Sequence, residues 1–173
     1  MEIRTDLALE AKELDTDNTE GIKLNYSTYN DIKISRMKII TDSASNRLKK
    51  EKGTYITIEM DAIDDDITHA DDKIYAIANE LENLLPKKGT ILVAGIGNVN
   101  ITADALGPKT VDNILATRHI TEDIAKQIGL EDLRSVAAIA PGVLGQTGVE
   151  SSELILSIVK RINPSAVIVV DAL

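Results

Sequence analysis

Two aspartates carry the clearest chemical signal in this chain. Asp171 follows the aliphatic run Ala166-Val-Ile-Val-Val170. Asp104 lies in Gly95-Ile-Gly-Asn-Val-Asn-Ile-Thr-Ala-Asp104-Ala-Leu-Gly-Pro108, which follows a second such run, Ile91-Leu-Val-Ala94. A carboxylate at the end of a buried strand needs a partner or a task, because desolvating it alone is costly. Two carboxylates across one crevice, one ionised and one carrying a proton, can hold and polarise a water by general acid–base action. A third run, Val136-Ala-Ala-Ile-Ala140, leads into Pro141-Gly-Val-Leu-Gly-Gln-Thr-Gly148. There Gly142, Gly145 and Gly148 let a peptide or an anion approach the backbone closely. Thr147-Gly-Val-Glu150 fits a capping box for a following helix, and Gln146, Thr147 and Glu150 serve substrate binding equally well.

Other groupings have plainer explanations. Gly95-Ile-Gly97 begins like a dinucleotide fingerprint, but Asn100 stands where its third glycine belongs. A tight turn leaving a strand explains the pair, and the rival reading is a non-catalytic α/β module that binds a phosphate-bearing small molecule at this turn. With Thr102 as N-cap, Asp104 would lie in a first helical turn and face the helix dipole. Asp64-Asp-Asp66 with His69, Asp71 and Asp72 can be drawn as a metal cluster, yet it suits a solvated acidic loop ahead of a helix. His119 is placed near a helix end, as a C-terminal dipole partner. No Ser/His/Asp arrangement and no P-loop is present.

The elements that must position these residues follow from periodicity. The three apolar runs read as strands of a parallel sheet, each buried on both faces. Helical patterns separate them: Val111, Ile114 and Leu115 in the first, Thr121 to Gly129 in a short second, and Leu154, Ile155, Ile158, Val159 and Ile162 in the last. In an open parallel sheet the crevice lies beyond the carboxyl ends of the strands, which is where Asp104, Asp171 and the Gly142–Gly148 loop fall. Upstream, Ile32, Ile34, Met37, Ile39 and Ile40 form one strand and Thr54 to Met60 alternates as another, joined by a long polar hairpin connection from Thr41 to Gly53. Ile74, Ile77, Ala78, Leu81, Leu84 and Leu85 repeat at helical spacing behind Thr68 as N-cap, ending at Pro86 and Gly89. Residues 1–30 read as an acidic leader and connector, and 31–173 as one α/β domain. The last strand is followed only by Asp171-Ala-Leu173, so the domain is expected to continue in a longer protein and aliphatic surface to stand exposed without it.

Composition agrees. The 173 residues hold 19 basic and 28 acidic side chains, a net charge of −9, with no cysteine and four tyrosines as the only aromatics. The core must therefore be aliphatic, packed between regular elements, without disulfides or thiolate metal sites. Excess negative charge works against sequence-independent binding to nucleic acid. Neither a membrane span nor a signal peptide is read.

Several segments resemble the germination protease family of spore-forming bacteria. They are Ile3-Arg-Thr-Asp-Leu-Ala-Leu-Glu-Ala11, Gly95-Ile-Gly-Asn98 with Asp104-Ala-Leu-Gly-Pro108, Thr117-Arg-His119, Ala140-Pro-Gly-Val-Leu-Gly-Gln-Thr-Gly-Val-Glu150, and Asp171-Ala-Leu173. The resemblance implies an atypical aspartic-type endopeptidase that degrades small acid-soluble spore proteins in the cytoplasm of the forespore and spore core. It also implies a three-layer α/β/α fold with a mostly parallel sheet, like that of the hydrogenase-maturation proteases, preceded here by the β-hairpin region. The enzyme would be a self-processing zymogen and a homotetramer, with no metal or organic cofactor. The family's functional aspartates fall on Asp104 and Asp171. A leader reading Thr5-Asp6-Leu7-Ala-Leu-Glu10 matches the family's cleavage pattern, so a cut between Asp6 and Leu7, triggered by acidification, is expected. Ala103 stands where the family pattern carries proline, and family members continue well beyond position 173.

Overall fold

The computed structural model describes residues 19–61, 67–127, 129, 130 and 132–172, which fall into two compact units meeting at Leu84 and Leu85. The leader, including Asp6 and Leu7, lies outside the described residues, as do Asp64 to Asp66 and the side chain of His69.

The first unit is an antiparallel sheet in the order β1 (Ile22–Tyr29), β2 (Ile32–Ile39), β3 (Gly53–Glu59). Both strands expected from alternation are present. The connection between them is not all loop, because Thr41 caps a short helix, α1 (Asp42–Leu48), by accepting a bond from the Ala44 amide at 3.2 Å. Residues 22–29, expected as polar connector, instead form β1 and pair with β2 from Ile22↔Ile39 to Tyr29↔Ile32. Alternation along β2 sends Met37 and Ile39 to one face, where they pack with Ile22, Ala44 and Leu48 under α1. Ile32 and Ile34 go to the other face, packing with Ala76 of α2 (Ile67–Leu84). The central strand is thus covered on both sides, at opposite ends.

Arg36, on the α2 side of β2, sets how that helix sits. Its Nε donates to Glu80 Oε2 at 2.8 Å and its Nη2 to Oε1 at 2.5 Å, while Nη1 donates to Ser27 Oγ at 2.8 Å and Asn25 Oδ1 at 3.3 Å. This fork turns Ala76 and Glu80 toward the sheet. The apolar repeat that marks α2 in the sequence is therefore not the face that meets the strands, and Ile74 and Leu84 are each more than half exposed. Asp72, drawn in the sequence as a possible metal ligand, has another use: it accepts from Asn30 Nδ2 at 2.8 Å and Tyr29 OH at 3.3 Å, tying the β1–β2 turn to α2.

The second unit is a parallel sheet in the order β5 (Val136–Ile139), β4 (Ile91–Gly95), β6 (Ala166–Val170). The expected alternation of strands and helices is observed, with α3 (Leu106–Asp112), α4 (Glu122–Gln127), the single turn α5 (Leu144–Thr147) and α6 (Ser151–Ile162) between strands. Only β4 is buried along its whole length. The strand β5 is half-buried throughout, and β6 alternates, with Val169 50% exposed, because α6 packs over Leu92, Ala94, Ala137 and Ile139 and leaves that flank of the outer strand uncovered. The expectation of three strands buried on both faces is thus corrected to one.

Candidate active site

β4 ends at Gly95, and the next amide, Ile96 N, donates to Val170 O at 2.8 Å. That bond ties the end of β6 beside the exit of β4 and brings Asp171 to the carboxyl edge of the sheet. Beyond Ile96 the chain turns at Gly97, whose φ of 127° is open to glycine and strained for other residues. A Cβ on Gly97 would lie 2.1 Å from the Asp104 carbonyl oxygen and 3.0 Å from its Oδ1. The loop closes through a 3₁₀ turn, Thr102–Asp104, and the Asn98 amide donates both to the Asp104 carbonyl at 3.0 Å and to its Oδ2 at 2.8 Å.

Asp104 is therefore not the first-turn helix residue suggested by its sequence. The N-cap position is Ile101, Asp104 is the last residue of the 3₁₀ turn, and α3 starts two residues later at Leu106. Its half-buried carboxylate folds back onto the loop and takes the Asn98 amide. This also weakens the phosphate-binding reading of Gly95–Gly97, since one amide that would meet a phosphate is already spent and the group beside it is an anion. Asp171 is exposed, and its Oδ1 accepts from Ala172 N at 2.9 Å. The two carboxylates thus share one sheet edge, with unequal exposure and with main-chain amides holding one oxygen of each.

The Gly142–Gly148 loop leaves β5, on the other side of β4. Its middle forms α5, closed by Gly148 in the left-handed conformation. Thr147 Oγ1 lies 2.9 Å from the Val149 carbonyl and 3.2 Å from the Val143 carbonyl, and accepts from the Val149 amide at 3.2 Å. The capping-box reading fails here: Thr147 ends α5 rather than starting α6, and Glu150 is itself the N-cap of α6, with no side-chain bond to it. Ser151 Oγ donates to Gly142 O at 2.8 Å, fastening the loop to α6. Gln146 and Thr147 are exposed, and a Cβ at Gly145 would meet nothing within 4 Å, so this stretch of backbone is open to an approaching chain.

His119 does not sit at a helix C-terminus. α3 ends at Asp112, and His119 is exposed in a turn ahead of α4, the wrong pole for a cationic dipole partner. Its neighbour Thr117 matters more to the structure. That buried hydroxyl donates to Arg134 O and accepts from Val136 N at 2.8 Å, pinning the start of β5. In the sequence Thr117 and Asn98 stand out only as members of the family-like segments, with no structural role attached to either. Nothing in the residue types marked either role, since Thr117 is followed by Arg118 and His119 and Asn98 acts through its main-chain amide.

Comparison with known proteins extends these observations. The germination protease family pattern matches residues 2–173. Germination proteases from Caldanaerobacter subterraneus subsp. tengcongensis and Clostridium acetobutylicum are 43% and 38% identical over 99% of this chain, covering 54% and 55% of their own lengths. That of Priestia megaterium is 37% identical over 99% of the chain and 50% of its own length. The chain spans about half the length of the curated relatives it matches. With the family pattern covering residues 2–173 and these relatives 37–43% identical over 99% of the chain, the chain belongs to the germination protease family.

Proposed function

We propose that this chain is the N-terminal part of an endopeptidase that initiates degradation of small acid-soluble spore proteins during germination. The observation that supports this reading is that the segments carrying Asp104 and Asp171 leave the neighbouring strands β4 and β6 at one edge of the sheet, in a chain of this family. In the reaction we infer, an ionised aspartate takes a proton from water as the water oxygen bonds to the scissile carbonyl carbon. The other aspartate, protonated, donates to the carbonyl oxygen. Collapse of the tetrahedral intermediate breaks the C–N bond, and a proton passes to the departing amine. Asp104, the more buried of the two, is the better placed to be held in one orientation; Asp171, exposed, is the better placed to meet substrate. The open backbone at Gly145 and Gly148, with Gln146, Thr147 and the turn at Gly142, holds the substrate chain beside them. No metal or organic cofactor enters this scheme. The complete enzyme is a homotetramer of subunits with the three-layer fold of the hydrogenase-maturation proteases, working in the cytoplasm of the forespore and spore core.

The enzyme is made as a zymogen that removes its own first six residues. Incubating the full-length zymogen at mildly acidic pH and sequencing the new N-terminus is expected to give a chain beginning at Leu7. A different first residue, or processing that persists in an Asp6→Lys variant, overturns the site. The rival phosphate-binding module makes the opposite forecast in another assay. Thermal-shift titration with nucleotides is expected to leave the melting temperature unchanged, whereas a ligand-dependent rise supports the rival.

A further inference from the structure

Gly107 stands between the carriers of the two aspartates. It lies in the first turn of α3, three residues after Asp104 and separated from it only by Ala105, which is buried, and Leu106. A Cβ at this position would come 2.2 Å from Ile96 O, 2.5 Å from Val170 O and 2.6 Å from Ile96 N. All three are main-chain atoms, so no rotamer change relieves the clash. Val170 is the residue before Asp171, and Ile96 is the residue bonded to it. Gly95 shows the same fit from the other side, since a Cβ there would lie 2.0 Å from Gly107 O. The start of α3 is thus seated directly on the exits of β4 and β6, with no side chain between.

We propose that Gly107 is a positioning residue, whose missing side chain lets the Asp104 turn close onto the end of β6 and so fixes the separation of Asp104 from Asp171. This rests on the two-aspartate reading above. A methyl group at 107 must push either the Asp104 turn or the β6 end away by about an ångström, a displacement that costs on the order of 10²-fold in rate when the reacting groups depend on it. Neither strand nor helix need unfold for that to happen.

The test compares Gly107→Ala with Gly53→Ala, Asp104→Asn and Asp171→Asn in the full-length protease, by kcat and KM on a peptide substrate. Gly53 is the control, because a Cβ there meets nothing within 4 Å and it lies on β3, in the other unit. Gly107→Ala is expected to lose about 100-fold in kcat with KM nearly unchanged, and Gly53→Ala to match the parent. A folded Gly107→Ala enzyme with near-parental kcat, or with its loss confined to KM, overturns the assignment. Each variant is also assayed in the cold with trimethylamine N-oxide, which favours the folded state, with folding followed by circular dichroism. A Gly107→Ala chain that fails to fold even then makes the glycine structural and overturns the positioning role. If both asparagine variants stay active, the two-aspartate reading falls and this inference with it; if they are inactive while Gly107→Ala is normal, only the positioning role falls.

Discussion

Replacing Asp104 or Asp171 with asparagine in the full-length protease is expected to reduce peptide cleavage by about 10²–10⁴-fold, the range that general acid–base groups supply, with the fold intact. The expectation of an intact fold comes from the hydrogen bonds. An asparagine carbonyl oxygen can still accept from the Asn98 amide at position 104, as Oδ2 does at 2.8 Å, and from the Ala172 amide at position 171. Asparagine cannot take up a proton from water as a carboxylate does, so chemistry is lost while the local turns are kept. Circular dichroism beside a peptide assay checks both halves. Near-normal cleavage by either folded variant removes that aspartate from the mechanism.

Breaking the Arg36–Glu80 pair should have the largest effect on stability. The Glu80 side chain is 5% exposed and that of Arg36 29%, so the two halves are not equivalent. Arg36→Met leaves a carboxylate buried without its fork and is expected to cost about 3–5 kcal/mol. Glu80→Gln leaves a guanidinium that still reaches Ser27 and Asn25 near solvent, and is expected to cost about 1–3 kcal/mol. The hydrogen bonds from Arg36 hold the Glu80 carboxyl below its ordinary 4.5, against the opposing effect of burial. Because the folded value is the lower one, the pair stabilises the protein fully above the unfolded value and loses that contribution as pH falls below about 4.5. In Arg36→Met burial is opposed only by the smaller effect of the Asn79 hydrogen bond, so the shift is expected to reverse and the contribution of Glu80 to improve on acidification instead. Urea unfolding followed by tyrosine fluorescence measures this cleanly, since Tyr26, Tyr29, Tyr55 and Tyr75 all lie in the first unit. Parallel pH dependences in parent and Arg36→Met would contradict the account.

The parallel sheet was legible because its strands are short aliphatic runs bounded by glycine or polar residues, and the edge carrying both aspartates followed from where those runs end. What stayed hidden has physical reasons. Ile22, Leu24 and Tyr26 do alternate along β1, but the Asn, Ser and Thr around them and the acidic, polar stretch before them make the segment read as loop, and only Ile22 of this strand is buried. α1 has just Ala44 and Leu48 to bury, one turn apart, within an otherwise polar stretch. The uneven burial of β6 depends on where α6 lies across the sheet, which no local pattern records. Asp104 was located but its setting was misread, because a 3₁₀ turn and a helical first turn begin with the same residue types and differ only in how the loop closes on Asn98.

The central place of β4 sets an order of events during synthesis. Its flanking partners are distant: Thr90 meets Ser135 across 45 residues and Ser165 across 75. At ribosomal speeds β6 emerges roughly 4–15 s after β4, whereas a hairpin such as β1–β2 closes within about 10 µs of being complete. β4, the strand buried along its whole length, therefore waits for β6 through a long interval in which the first unit is already built. Non-local pairing of this kind is slow to nucleate, so assembly of the edge that carries Asp104 and Asp171 is the last event in making this stretch of polypeptide. On the two-aspartate proposal, the nascent chain would therefore lack its paired edge until Val170 has taken its place beside Ile96.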